Sequence, residues 1–108
     1  MALVIPHDAE EKQYTVTEES PGGWFEEGLV SMSRLRNWIG GWVELITLRK
    51  PVEVDGKTYK YLICNEEGKL LNLPANTRAS QYILMSESLG LNGLIVGNAV
   101  LLEEWEID

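Results

Sequence analysis

The pair Asp55-Gly56 constrains the fold more than any other short part of the sequence. It lies between two segments, residues 41–50 and 57–64, that are rich in β-branched and aromatic side chains. Asp-Gly between such segments is the strongest local signal for a tight β-hairpin, because both residues tolerate a positive φ. The sequence therefore predicts an antiparallel hairpin in the middle of the chain, with residues 51–54 widening its end.

The second strand of this hairpin alternates in a way that predicts which side chains share a face. Successive residues of a strand point to opposite faces of the sheet. We therefore expect Tyr59, Tyr61 and Ile63 on one face, and Lys60 and Leu62 on the other.

The segment that follows, Asn65 to Gly68, has the composition of a tight turn. We expect Gly68 to supply a positive φ and the Asn65 side chain to hold the turn with a hydrogen bond. This turn opens a corner that continues to Ser80.

Residues 31–40 have the pattern of a short amphipathic helix. Their apolar side chains recur at helical spacing, Ser31 or Ser33 can cap the start, and Gly40 suits a left-handed C-terminal position.

A second helix is predicted after the corner. Pro74 ends an extended piece, because it disfavours the helical conformation of the residue before it. Asn76 then stands where it can cap a helix that runs from about residue 77 to residue 86 or 88.

Three further segments, residues 2–6, 12–17 and 94–107, have the composition of strands, the last with a break at Gly97-Asn98. The order β-β-loop-α-β-β-α-β predicts an α+β fold, with a mostly antiparallel sheet of about five strands and two helices packed on one face. We expect residues 1–108 to form a single domain.

Residues 18–29 are predicted to form a loop insertion, because Ser, Pro and two Gly stand together there. Trp24 and Phe25 are unusual in such a loop. Either they fold back as a plug on the core or they form a partner surface, and we favour the plug.

The charge and composition exclude several classes of function. The formal net charge is −8, which argues against direct binding to nucleic acid. One cysteine, Cys64, and one histidine, His7, cannot form a disulfide or a four-ligand zinc site, and we expect no metal and no cofactor. No apolar stretch is long enough for a membrane span and no signal peptide precedes the first acids, so we expect a cytoplasmic protein.

The basic residues are concentrated, since every Lys and Arg except Lys12 lies within residues 31–78. In one interpretation these residues form ion pairs with the acidic segments on either side of them in the chain. In the other they form a basic pocket for a small anion. Arg78 motivates the second, because a basic residue in the first turn of a helix opposes the helix dipole unless an anion binds there. A plain cap and a solvent-facing Arg78 remain the alternative.

The candidate ligand-binding residues are those that could contact an anion or stack on a base: Arg78, Asn76, Arg34, Lys69, Trp42 and Tyr61.

No catalytic residue is assigned. The sequence contains neither a phosphate-binding glycine loop nor an esterase motif. Five Glu-Glu doublets occur, but adjacent residues of a strand point to opposite faces. Glu66 and Glu67 are the exception, because a tight turn could hold them around Mg²⁺.

A family resemblance is carried by three segments, LRNWIGGWVELI, YLICNEEGKLLNLPANTRAS and GLIVGNAVLL. Together they resemble an uncharacterised family of short phage and mobile-element proteins, which carry Gly-Gly-Trp/Tyr-x-Glu, NEEG, LPxNxxA and IVG in a domain of unknown function. The resemblance implies a phage origin, a location in the cytoplasm of the bacterial host, and an accessory role in host takeover or anti-defence. It implies no catalytic residues, and residues 18–29 depart from it.

Three functions remain open. The first is a non-enzymatic, sponge-like anti-defence protein that sequesters a small anionic ligand, such as a cyclic or ADP-ribose-derived nucleotide. The second is an acidic protein-binding inhibitor of a host factor, in one form a DNA mimic. The third is a small nucleotide hydrolase. Under all three we expect a homo-oligomer, because so small a chain encloses a ligand more easily in a pocket shared between subunits.

Overall fold

Nine elements make up the computed structural model, which describes residues 1–88 and 94–103. In chain order they are β1 (Ala2–Ile5), β2 (Tyr14–Val16), β3 (Phe25–Glu26), β4 (Leu29–Val30), α1 (Met32–Ile39), β5 (Val43–Val54), β6 (Lys57–Asn65), α2 (Thr77–Met85) and β7 (Ala99–Leu102).

Five of the strands form one sheet in the order β2-β1-β7-β6-β5, and every neighbouring pair is antiparallel. The short strands β3 and β4 pair with each other in a separate ribbon. The predicted α+β fold with a mostly antiparallel five-stranded sheet is therefore confirmed.

The two helices lie on opposite faces of this sheet. Leu101 packs in the core that includes Ile83 of α2, whereas its neighbour Val100 packs with Leu35 of α1. Adjacent residues of a strand face opposite ways, so each helix covers its own face, here named the α1 face and the α2 face. The prediction of both helices on one face is wrong, because the interior strands β1 and β7 are apolar at every position and need cover on both sides.

The Asp55-Gly56 hairpin is confirmed, with φ of 49° and 79° at the two turn residues. The predicted alternation along β6 holds for Tyr61 and Ile63, which pack on the α1 face, but Tyr59 lies in the core on the α2 face. The cause is a register shift between Thr47 and Val52, where residues 48–51 of β5 stand opposite a single residue of β6. Beyond this irregularity Tyr59 of β6 lies on the face opposite to Tyr61, whereas Val54 of β5 stays on the α2 face with Ile46.

The predicted ends of α1 are confirmed. The hydroxyl of Ser31 accepts a hydrogen bond from the Arg34 amide at 3.3 Å, which satisfies one of the free N–H groups of the first turn. Gly40 ends the helix with φ of 87°, a conformation in which a β-carbon would be strained.

Trp24 forms the predicted plug. Its side chain is buried among the residues of the α1-face core, and its ring meets Trp38 edge to face at 6.1 Å between centroids. The guanidinium of Arg34 lies 4.1 Å from the centre of the Trp24 ring. Part of the segment predicted as a loop is the β3–β4 ribbon, which brings this side chain onto the core.

The final strand is shorter than the prediction of residues 94–107. Gly97 has φ of 77° and breaks the chain direction before β7, as the predicted interruption required. Residues 104–107 of the predicted strand lie outside the described part of the chain, as do residues 89–93 and 108.

Replacement of Trp24 by alanine should lower the free energy of unfolding by about 3–5 kcal/mol, because it removes the largest buried side chain of the α1-face core. The matched control is Trp42→Ala, since Trp42 is 62% exposed and its loss should cost less than about 1 kcal/mol. Urea unfolding of both variants measures the difference, and equal costs would contradict the plug.

Candidate functional site

Asn76 is fully buried and all of its side-chain groups are used inside the protein. Its Oδ1 accepts a hydrogen bond from the Ala79 amide at 3.0 Å, which is the predicted helix cap. Its Nδ2 donates to the carbonyls of Ile5 at 3.0 Å and Gly97 at 2.9 Å. Asn76 therefore ties the start of α2 to the end of β1 and to the bend before β7, and its amide is not available to a ligand.

Arg78 holds the loop that follows β1. One terminal nitrogen of its guanidinium donates to the carbonyl of Pro6 at 2.7 Å and to that of Asp8 at 3.0 Å. These two hydrogen bonds give Arg78 a structural role. They explain why a basic residue stands at the start of a helix, which the sequence alone did not explain. The side chain is half-buried, so it is not the solvent-facing residue of the alternative interpretation.

Arg34 is also engaged within the protein. Its Nε donates to the carbonyl of Gly22 at 3.0 Å, and its guanidinium covers the Trp24 ring. A different arginine, Arg36, stacks on Trp42, and its guanidinium carbon lies 4.6 Å from the centre of the Trp42 ring. Sequence reasoning did not select Arg36, although its place in the last turn of α1, just before the Gly40-Gly41 reversal, was a signal for this contact.

The six predicted site residues do not form one pocket. Asn76 and Arg78 lie at the start of α2, and Arg34 lies at the other helix, on the opposite face. Tyr61 is half-buried against the α1-face core, so most of its ring is used in packing. Lys69 alone among the six lines a described cavity.

That cavity, here named the corner cavity, has a volume of about 300 Å³ and lies beside the turn after β6. Its walls come from the sheet, from the turn and from the segment before β7: Glu44, Ile46, Cys64, Asn65, Glu66, Glu67, Gly68, Lys69, Leu70, Leu94, Ile95 and Val96. The lining contains three carboxylates and one ammonium group, so its formal charge is −2. The cavity therefore favours a group that is apolar along its length and positive at its end.

The turn that forms the rim is held as predicted by Asn65. Its Oδ1 accepts from the Glu67 amide at 2.8 Å, and its Nδ2 donates to the carbonyl of Ile39 at the end of α1 at 3.3 Å. Gly68 does not have a positive φ, so that prediction is wrong. Glycine is needed there because a β-carbon would lie 2.6 Å from a methyl group of Val96.

Cys64 lies in the floor of the corner cavity with its thiol protonated. Burial, and then the charge of Glu44, raise the pKa of this thiol from 9.0 to about 12. The sulfur donates to Oε1 of Glu44 at 3.7 Å. Burial and Glu44 therefore both disfavour the thiolate, which is the nucleophilic form of cysteine.

Glu66 and Glu67, the residues considered for Mg²⁺ binding, are exposed on the rim of the cavity. Within residues 1–88 and 94–103, no three His, Cys, Asp or Glu side chains come together as a metal site would require. In that same part of the chain, no helix has the length and apolar character that crossing a bilayer requires.

The sequence matches the family model described as a domain of unknown function, DUF3846, over residues 1–107. No curated protein and no solved structure shows a significant match to the chain. The expectation of an uncharacterised family is therefore confirmed, and the comparisons assign no activity to any residue of the site.

Replacement of Asn76 by alanine should lower the free energy of unfolding by about 3 kcal/mol, because it removes the cap and the buried hydrogen bonds to two carbonyls. Asn76→Ser should recover only about 1 kcal/mol, since serine restores the cap alone. The control is Asn37→Ala on the exposed side of α1, expected within about 0.5 kcal/mol of the parent chain. Thermal or urea unfolding measures all three, and a serine variant as stable as the parent would refute the role of the two carbonyl bonds.

Proposed function

We propose that this chain, which belongs to the DUF3846 family, acts without catalysis by binding and blocking a protein partner, as an acidic inhibitor of a host factor. The observation that carries the proposal is the corner cavity, whose lining combines five aliphatic side chains with three carboxylates and one ammonium group. A cavity with that chemistry suits a lysine or arginine side chain better than it suits a phosphate.

The charge of the whole chain supports the same partner chemistry. A net charge of −8 steers a basic surface toward the protein and repels acidic ones, which raises the rate of association with the correct partner. Long-range attraction of this kind weakens with salt, because mobile ions screen charges beyond about 10 Å at 0.1 M. A DNA mimic would need carboxylates spaced at regular intervals along its surface, as phosphates are along DNA. The proposed inhibitor needs only the three carboxylates of the corner cavity.

The biological setting of the proposal comes from the resemblance to short phage and mobile-element proteins. In that setting a small acidic binding protein would inactivate a component of the bacterial host or of its defence. The resemblance supports this role by analogy of protein class, and the partner is identified here only by its basic surface.

The proposal predicts that capture of a bacterial host protein depends on the carboxylates of the cavity. A variant with Glu44, Glu66 and Glu67 all changed to Gln should lose the captured protein, because the cavity loses its negative charge. The control changes the exposed Glu10, Glu19 and Glu53 to Gln, which alters the net charge equally but leaves the cavity intact.

The measurement is affinity capture from host lysate at low and at high salt, followed by comparison of the proteins retained by the parent and by both triple variants. Retention by the parent and the control but not by the cavity variant supports the proposal. A protein retained equally by all three, or no protein retained at low salt, counts against it.

We propose as a second candidate the capture of a small anionic, nucleotide-derived ligand, in the manner of an anti-defence sponge. The specific observation is the Arg36–Trp42 pair, in which a guanidinium stacks on a ring that is 62% exposed. An exposed indole can stack on a base while the guanidinium binds a phosphate.

This candidate predicts that Arg36→Ala and Trp42→Ala each weaken the binding of ADP-ribose or a cyclic dinucleotide at least about tenfold, which corresponds to about 1.4 kcal/mol. Titration calorimetry with the two ligands measures the change, and Arg49→Ala, an exposed arginine elsewhere, is the control. Affinity that is lost in Arg78→Ala and not in Arg36→Ala would instead place the ligand at the start of α2.

A further inference from the structure

β5 is the last strand of the sheet, and the described residues leave part of its outer edge uncovered. No strand in the described part of the chain pairs with it on the side away from β6. Residues 49 and 50 are covered, because the Arg49 amide donates to the hydroxyl of Ser88 and the Lys50 amide donates to the carbonyl of Ser86. Residues 43–47, here named the open segment, have no such cover from residues 1–88 and 94–103, and the backbone of an edge strand offers hydrogen-bonding groups to another chain.

The two faces of this open segment differ in chemistry. On the α2 face, Glu44 and Ile46 line the corner cavity. On the α1 face, Leu45 is 47% exposed, and the exposed ring of Trp42 precedes the strand. A strand added at this edge would therefore place alternate side chains beside an acidic cavity and beside apolar surface.

We propose that residues 43–47 of β5 pair with an extended, basic segment of the partner protein, and that a lysine or arginine of that segment enters the corner cavity. This inference rests on the proposed function and names how the partner is recognised. Backbone hydrogen bonds to β5 fix the register of the added strand. The cation beside Glu44 and the apolar side chain beside Leu45 select the partner sequence.

The charges of the chain favour such a partner over a second copy of the protein. Two copies paired through β5 would bring two carboxylate-lined cavities together, each with a formal charge of −2, on chains of net charge −8. Like charges across a strand pair are destabilising, whereas a basic segment neutralises the same groups.

Synthetic peptides of about nine residues test the inference, with nitrogen-15 NMR on the 108-residue chain as the measurement. The first alternates Lys and Val, so that one face of the added strand is cationic and the other apolar. The second alternates Glu and Val, and the third is the Lys-Val peptide with alternate backbone amides methylated, which removes the donors that pair with β5.

The Lys-Val peptide should shift the amide signals of residues 43–47, and the other two peptides should bind at least about tenfold more weakly. Glu44→Gln should weaken binding of the Lys-Val peptide at least about fivefold. The matched control is Glu53→Gln on the same strand, which lies outside the cavity and should leave the affinity unchanged.

Equal binding of the methylated peptide, shifts confined to another surface, no binding at all, or a dimer formed through β5 would each overturn the inference. The lysate experiment distinguishes a failure of the strand pairing from a failure of the proposed function. A host protein that needs the cavity carboxylates but does not perturb residues 43–47 would leave the function standing and remove the strand pairing.

Discussion

Two of the three interior strands of the sheet, β1 and β7, are apolar and buried at every one of their positions, and the remaining structure is arranged to cover them. A strand with no polar face cannot leave either side to solvent without losing the hydrophobic free energy of those side chains. α2 therefore covers one face and α1 the other. On the α1 face, Trp24, which directly precedes the β3–β4 ribbon, packs with Leu35 and Ile39 and completes the cover.

Buried polar groups hold these layers in register. Asn76 has no exposed surface, yet its amide reaches a helix start, the end of β1 and the bend at Gly97. Asn65 does the same at the other end of the corner, where it joins the turn to the end of α1. These amides and Arg78 form hydrogen bonds with backbone groups. Asn76 and Arg78, which the sequence predicted to bind a ligand, therefore have a structural role.

The proposed partner site lies at the β5 side of the molecule. There the corner cavity brings acids and apolar side chains together, and residues 43–47 of the edge strand β5 pass along it. The raised pKa of Cys64 is a consequence of the same arrangement, since burial and Glu44 both favour the neutral thiol. Binding through charge and backbone pairing is consistent with a site that presents carboxylates and no activated nucleophile among its lining residues.

Local patterns in the sequence determined the hairpin, the caps of both helices and the α+β class. These features depend on residues close together in the chain, such as Asp55-Gly56, Ser31 and Asn76, whose preferred conformations need no distant partner. Only the tertiary structure decided which faces the helices cover, because strands apolar at every position carry no alternation that reports a face. It also decided the site. Glu44 meets Cys64 through strand register, and residues 94–96 reach the cavity from a distant part of the chain.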